Sequence, residues 1–207
     1  QLEIFIPLIN DLDIKKTLPK SNALDDYAAN PDFLSLLNEN IKKYSPKIIL
    51  EAGSGISTLI CGYSLKKTSE GKIFSLEHHK KYSSIVSKEI NNHSLNNHAE
   101  VIYAPLVQYP DKKFQWYDIS KIEKINEIDL LIIDGPPASS SKIARYPAIP
   151  LLLNEMSHET IIVLDDARRK DEQEVIGKWK EEFNCFEYQY ENNDKGICII
   201  KKNKTGI

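Results

Sequence analysis

Cysteine is scarce in this sequence, and long apolar runs and a strong charge of either sign are missing; each shortage narrows what the chain can be. The three cysteines among 207 residues, Cys61, Cys185 and Cys198, form no C-x-x-C pair and no Cys/His cluster. That spacing excludes a zinc ribbon and a disulfide framework. Cys185 and Cys198 stand where a terminal hairpin would let them face each other, but reduced, buried thiols are the expected state. No apolar stretch reaches membrane-spanning length, and no basic segment leads into an apolar core at the start. A soluble, cytoplasmic protein is therefore expected. A net charge of −3 supplies no broad cationic surface for nucleic acid. The short pairs Lys66-Lys67, Lys80-Lys81 and Lys201-Lys202 read as solvated faces. Repeats, low-complexity tracts and linkers are missing too, so a single domain is expected.

What is present is the ordinary composition of a soluble globular protein, 41% hydrophobic and 28% charged. Asn30-Pro31 marks a helix start, and Leu34, Leu37, Ile41 and Tyr44 recur on one stripe behind it. Pro46 ends that helix before a strand at 47–52. A glycine turn, a helix over 57–68 closed by Gly71, and a strand at 72–77 follow. Tyr82, Ile85, Val86 and Ile90 mark another helix, with a strand near 100–104. Residues 105–127 read as a loop with aromatic punctuation and one helical turn. Strands at 128–134 and 160–166 are continuous apolar runs, as when helices cover both faces of a parallel sheet. Between them a helix should begin at Ile143 or Ala148 and run to Met156. After a helix carrying Val175, Ile176, Trp179 and Phe183, residues 185–191 and 197–200 form an antiparallel hairpin. Residues 1–29 stand apart as a lid, an edge strand or a dimer contact.

The sequence turns on Ile48-Ile49-Leu50-Glu51-Ala52-Gly53-Ser54-Gly55-Ile56-Ser57-Thr58: an apolar strand, an acid, a glycine turn and a helix start. Gly53 and Gly55 permit positive φ and a close backbone approach, and Ser57 or Thr58 can cap the helix. Helix N-termini of this kind favour anions. Two ligand classes remain open on these residues alone. A dinucleotide turn would want a third glycine where Thr58 stands. Glu51-x-Gly53-x-Gly55 behind a hydrophobic strand resembles motif I of the class I S-adenosylmethionine (SAM)-dependent methyltransferases, and the terminal hairpin matches that family. The resemblance covers residues 30 to 202. It implies a Rossmann-like, mostly parallel open sheet with helices on both faces, and a methyltransferase domain over 30–207. By the family pattern Gly53, Ser54, Gly55 and Thr58 lie along the cofactor, and Glu51 holds its amino group.

In an open parallel sheet, ligands bind beyond the carboxyl ends of the strands. Four of the five predicted strand ends carry acids. Glu77 follows Gly53 at about the 20-residue spacing of an acid that accepts from ribose hydroxyls, a role common to SAM and NAD. His78 and Asp134 join the cofactor-binding set, with His78 and His79 flanking the adenine or solvent. Asp134, Asp165 and Asp166 resemble the carboxylate-rich metal set of catechol O-methyltransferase-like enzymes. That resemblance implies Mg²⁺ or another divalent cation on hard oxygen ligands, with Asp166 standing where an amide is usual. The Asp134-Gly135-Pro136-Pro137 turn followed by Arg145-Tyr146-Pro147-Ala148 is similar to a prokaryotic methyltransferase subgroup. Methyl transfer needs an aligned nucleophile and removal of its proton. Asp134 and Lys142 are the catalytic candidates, with His78 and His79 behind them. Lys142 and Arg145 read otherwise as an anion clamp or as surface charge. The expected function is SAM-dependent methylation of a small-molecule oxygen. An NAD-dependent oxidoreductase or a non-catalytic nucleoside-binding module stands as the alternative.

Overall fold

The computed structural model describes residues 2–18, 30–68, 70–109, 114–191, 193 and 195–202. Helices α1 (Leu2–Asp11) and α2 (Pro31–Tyr44) precede the sheet. The α2 start follows the Asn-Pro signal: the Asn30 side chain accepts from the Asp32 backbone N–H and Pro31 takes the first turn. Then come β1 (Ile48–Ala52), α3 (Ile56–Thr68), β2 (Lys72–Glu77), α4 (Lys80–Asn92) and β3 (Ala99–Tyr103). A small ribbon, β4 (Leu106–Tyr109) with β5 (Phe114–Tyr117), leads to β6 (Ile128–Ile133), α5 (Ala148–Leu152) and β7 (Met156–Leu164). Helix α6 (Lys170–Glu182) and the strands β8 (Phe186–Glu191) and β9 (Ile197–Lys202) finish the chain.

The main sheet has the order β3-β2-β1-β6-β7-β9-β8. Strands β1, β2, β3, β6 and β7 run parallel, while β9 pairs antiparallel with both β7 and β8. The order reverses direction between β1 and β6, which sets the switch point beside the glycine turn. Alternation along each strand divides the core in two. Ile49, Ile73, Leu130, Ile132, Ile161 and Val163 pack with α1 to α4. Leu50, Leu76, Leu131, Ile133, Ile162 and Leu164 pack on the other face with Trp116, Trp179 and residues of α5 and α6.

Three expectations change. Residues 106–109 and 114–117 form a paired ribbon rather than a loop, because Leu106, Val107, Trp116 and Tyr117 find cross-strand partners and Leu106, Trp116 and Tyr117 join an apolar cluster. Helix α5 takes the later of the two expected starts and a 3₁₀ turn at Leu153–Glu155 carries it to the expected end, but β7 begins at Met156 rather than at residue 160. The N-terminal segment starts as a helix, with Leu8, Leu12 and Ile14 inside the same core cluster as α2 and α3; its stretch 19–29 lies outside the described residues. All three cysteines are free, and Cys198 stands opposite Tyr190 rather than Cys185. Among the described residues no helix is long and apolar enough to cross a membrane.

Candidate active site

At the end of β1 the chain turns sharply through Gly53, whose φ of +116° few side chains tolerate. Its N–H donates to the Leu76 carbonyl at 3.1 Å, stitching the turn to the end of β2. No heavy atom lies within 4 Å of where a Cβ on Gly55 would stand, so the turn faces open space. Glu77 closes the same crevice from β2. One carboxylate oxygen accepts from Ser54 Oγ at 2.8 Å and the other from the His79 backbone N–H at 2.7 Å. Those two donors hold Glu77 with a hydroxyl already in front of it, the chemistry that ribose hydroxyls would replace. His78 Nδ1 is buried without a hydrogen-bond partner, 3.3 Å from Glu77 Oε1. Burial holds its ring below the ordinary imidazole value despite the acid beside it, so the pair is not an ion pair at neutral pH.

Glu51 and Thr58 face inward. Glu51 is 0% exposed, and its oxygens accept from Ser57, from Ser75 and from Thr58 Oγ1 at 2.6 Å. Burial raises its carboxyl against the pull of those hydroxyls. Thr58 Oγ1 also accepts from the Gly55 N–H at 3.1 Å, one half of a capping box at the start of α3. These groups build the turn, while Gly53, Ser54, Gly55, Glu77 and His78 line its rim. Ser57 and Ser75 had no predicted bond to Glu51; their only signal was a hydroxyl beside a buried strand end.

Across the switch point stands the second acid group. Asp134, Asp165 and Asp166 each offer an oxygen within 4.8 Å of the others. Asp134 remains partly open, its side chain 24% exposed, while Asp165 and Asp166 are buried. Desolvation raises the Asp134 carboxyl to about 8, with Arg145 opposing and the neighbouring acids assisting. Desolvation, then Asp166, raises Asp165 to about 6. Asp165 Oδ1 and Asp166 Oδ1 are buried without a hydrogen-bond partner, so the donor set fits a hard divalent cation.

Arg145 overturns the surface-charge reading. It is 3% exposed and lies among these acids, too enclosed to clamp a substrate from solvent. Its burial would lower its pKa, but Asp134, Glu172 and Asp166 outweigh that and keep it charged. Lys142 is exposed, and its ammonium pairs with Glu174 of α6 at 3.0 Å, which raises its pKa. It lines a separate groove of about 660 Å³ with Phe114, Gln115, Ser140, Tyr146 and Lys178.

The tyrosine hydroxyl of Tyr117, fully enclosed beside Gly135, is a further group that sequence reasoning missed. Burial, with Glu77 and Asp134 nearby, pushes its pKa well above the phenol range, so it stays protonated.

Known proteins share this fold. A family model described as a methyltransferase domain matches residues 50–167, more than half of the chain. An O-methyltransferase from Bacillus cereus, solved with S-adenosylhomocysteine, is 16% identical with a TM-score of 0.67, over 97% of this chain and 91% of that one. The O-methyltransferase TomG from Streptomyces achromogenes, solved with SAM, is 10% identical with a TM-score of 0.67, over 98% of each chain. A Podospora anserina methyltransferase bound to S-adenosylhomocysteine is 15% identical with a TM-score of 0.67, over 98% of this chain and 88% of that one. No curated protein matches the sequence. With the family model spanning the crevice from β1 to the acids behind β7, the chain belongs to this methyltransferase family and is a SAM-dependent methyltransferase.

Proposed function

We propose that the enzyme methylates an oxygen of a small molecule, with a divalent cation at the ends of β6 and β7. The observation that carries this reading is the second acid group: one oxygen each from Asp134, Asp165 and Asp166 within 4.8 Å, at the switch point facing the glycine turn. The O-methyltransferase activity of the structural neighbours supports an oxygen acceptor. The NAD-dependent alternative falls with the family match.

The proposed roles divide by position. Gly53, Ser54 and Gly55 cradle the cofactor's methionine part, and Glu77 accepts from its ribose with His78 beside it. Glu51 and Thr58 support that turn from within rather than through an exposed contact. SAM, when bound, supplies a methyl group on a positively charged sulfur. The chain's own task is to align the acceptor and to take its proton. Asp134, partly open and with its carboxyl raised to about 8, is the proton acceptor in the metal-free site once the pH is high enough to ionise it. Lys142, kept cationic by Glu174, suits an anionic part of the acceptor better than proton removal. A divalent ion held by Asp134, Asp165 and Asp166 would lower the pKa of a hydroxyl it touches.

Calorimetry with S-adenosylhomocysteine and with NAD⁺, each with and without Mg²⁺, tests the reading. S-adenosylhomocysteine alone should bind, and Glu77→Ala should weaken it by roughly 10-fold or more, the loss of charge-assisted hydrogen bonds. Methyl transfer to catechol-type and phenolic acceptors should fall on chelation and in Asp165→Asn. Cofactor binding with no product from a broad acceptor panel would instead favour the non-catalytic module.

A further inference from the structure

Arg145 sits in the turns between β6 and α5, yet its guanidinium reaches the ends of two strands. Nη1 donates to the Asp165 carbonyl at 2.8 Å and Nη2 to the Asp134 carbonyl at 2.7 Å. Nη2 also lies 3.3 Å from Asp134 Oδ1 and 3.2 Å from Asp166 Oδ2, and Nε lies 3.5 Å from Glu172 Oε1. Arg169 adds a second cation on Asp166 Oδ2 at 2.9 Å. Arginine thus engages one oxygen of Asp134 and one of Asp166. The opposite oxygen of Asp166, and Oδ1 of Asp165, stay buried and unpartnered.

We propose that Arg145 is a positioning residue for the cation site: it ties the ends of β6 and β7 together and turns the free carboxylate oxygens towards a shared point. The proposal rests on the cation reading given above. Lysine cannot reproduce it, because a single ammonium lacks the planar fork that spans two carbonyls and two carboxylates.

The test is Mn²⁺ titration followed by electron paramagnetic resonance on the full chain, for wild type, Arg145→Lys, Arg145→Met and Asp165→Asn. Calorimetry with S-adenosylhomocysteine in chelator runs in parallel. Wild type should bind one Mn²⁺, and Asp165→Asn should abolish it. Arg145→Lys should weaken Mn²⁺ by roughly 10-fold or more, the usual cost of removing a group that orients metal ligands. It should leave metal-free S-adenosylhomocysteine affinity within about 3-fold, because the Glu77 side of the crevice is untouched. If Arg145→Met fails to fold, the lysine variant decides alone. Unchanged Mn²⁺ affinity in Arg145→Lys, or tighter Mn²⁺ in Arg145→Met, overturns the proposal; the second result would make Arg145 a rival of the ion. A lysine variant that loses both ligands together also overturns it in favour of a purely structural tie. Wild type without Mn²⁺ but with normal S-adenosylhomocysteine binding sinks the cation reading and this proposal, while cofactor binding stands.

Discussion

An alanine methyl at position 135 would lie 2.5 Å from the Tyr117 hydroxyl and 3.2 Å from the Ala52 carbonyl. Neither neighbour can simply swing away, since Tyr117 is enclosed and Ala52 is strand backbone whose carbonyl accepts from Gly135 N–H at 2.7 Å. Gly135→Ala should cost about 1–3 kcal/mol in urea denaturation, the range for overpacking. Tyr117→Phe removes the nearer atom, so the double variant should recover part of that loss; a fully additive double variant would contradict the clash. Gly135 was legible as part of a turn, but the tyrosine that demands it was not. The same contrast holds for the acids. Glu77, Asp134 and Asp165 could be read because each ends an apolar strand, which is local information. Arg145 could not, because its burial follows from carboxylates just past β6 and β7 and on α6 that only the folded chain brings together. Glu51 was placed correctly at the turn, yet the three hydroxyls around it turn it away from the rim.

At the level of elements, the ribbon β4–β5 shows how tertiary context makes a strand from a sequence that reads as loop. Its strands are four residues each and the intervening sequence 110–113 is polar, so periodicity is too brief to register. Stability comes from burying Trp116 and Tyr117 and from a side-chain tie: Tyr109 Oη donates to the Tyr117 carbonyl at 2.7 Å and accepts from the Ile119 N–H at 3.2 Å. Tyr109→Phe should cost about 1–2 kcal/mol for these bonds, with the Ile119 donor left half-buried. Hydrogen exchange should accelerate across residues 114–119 and stay unchanged in β1 and β6. Uniform acceleration would show that the ribbon unfolds only with the whole sheet. The span before β7 was legible, since Pro147 and Pro150 fix where α5 can start and a 3₁₀ turn at Leu153–Glu155 carries it to the strand, but β7 itself starts early to pair Met156 with Ile128.

For the whole molecule the sheet was legible because strands β1, β6 and β7 carry continuous apolar runs and residues 185–191 alternate before a polar turn, and those patterns survive any detail of packing. Its response to pH was not, because that depends on which polar groups the core encloses. His93, at the end of α4, is 3% exposed, with Nδ1 2.8 Å from the Tyr63 hydroxyl and Nε2 3.6 Å from Glu89. Desolvation lowers its pKa, Glu89 raises it and Lys16 lowers it again, with a net fall from the ordinary 6.5. Above pH 6.5 the ring is neutral in the folded and unfolded chains alike, so it adds no pH dependence. Below that value the unfolded chain binds a proton that the buried ring refuses, and stability falls until the pH reaches the folded ring's own lowered pKa. The slope from this one group approaches about 1.4 kcal/mol per pH unit within that window. His93→Gln keeps a polar partner for Tyr63 and removes the titration. Urea denaturation of both proteins at about pH 7.5, 6 and 5 should therefore give curves that converge as the pH falls, with the variant losing less stability. Parallel curves across that range would mean that the ring takes up its proton in place, with Glu89 supplying enough charge to offset burial.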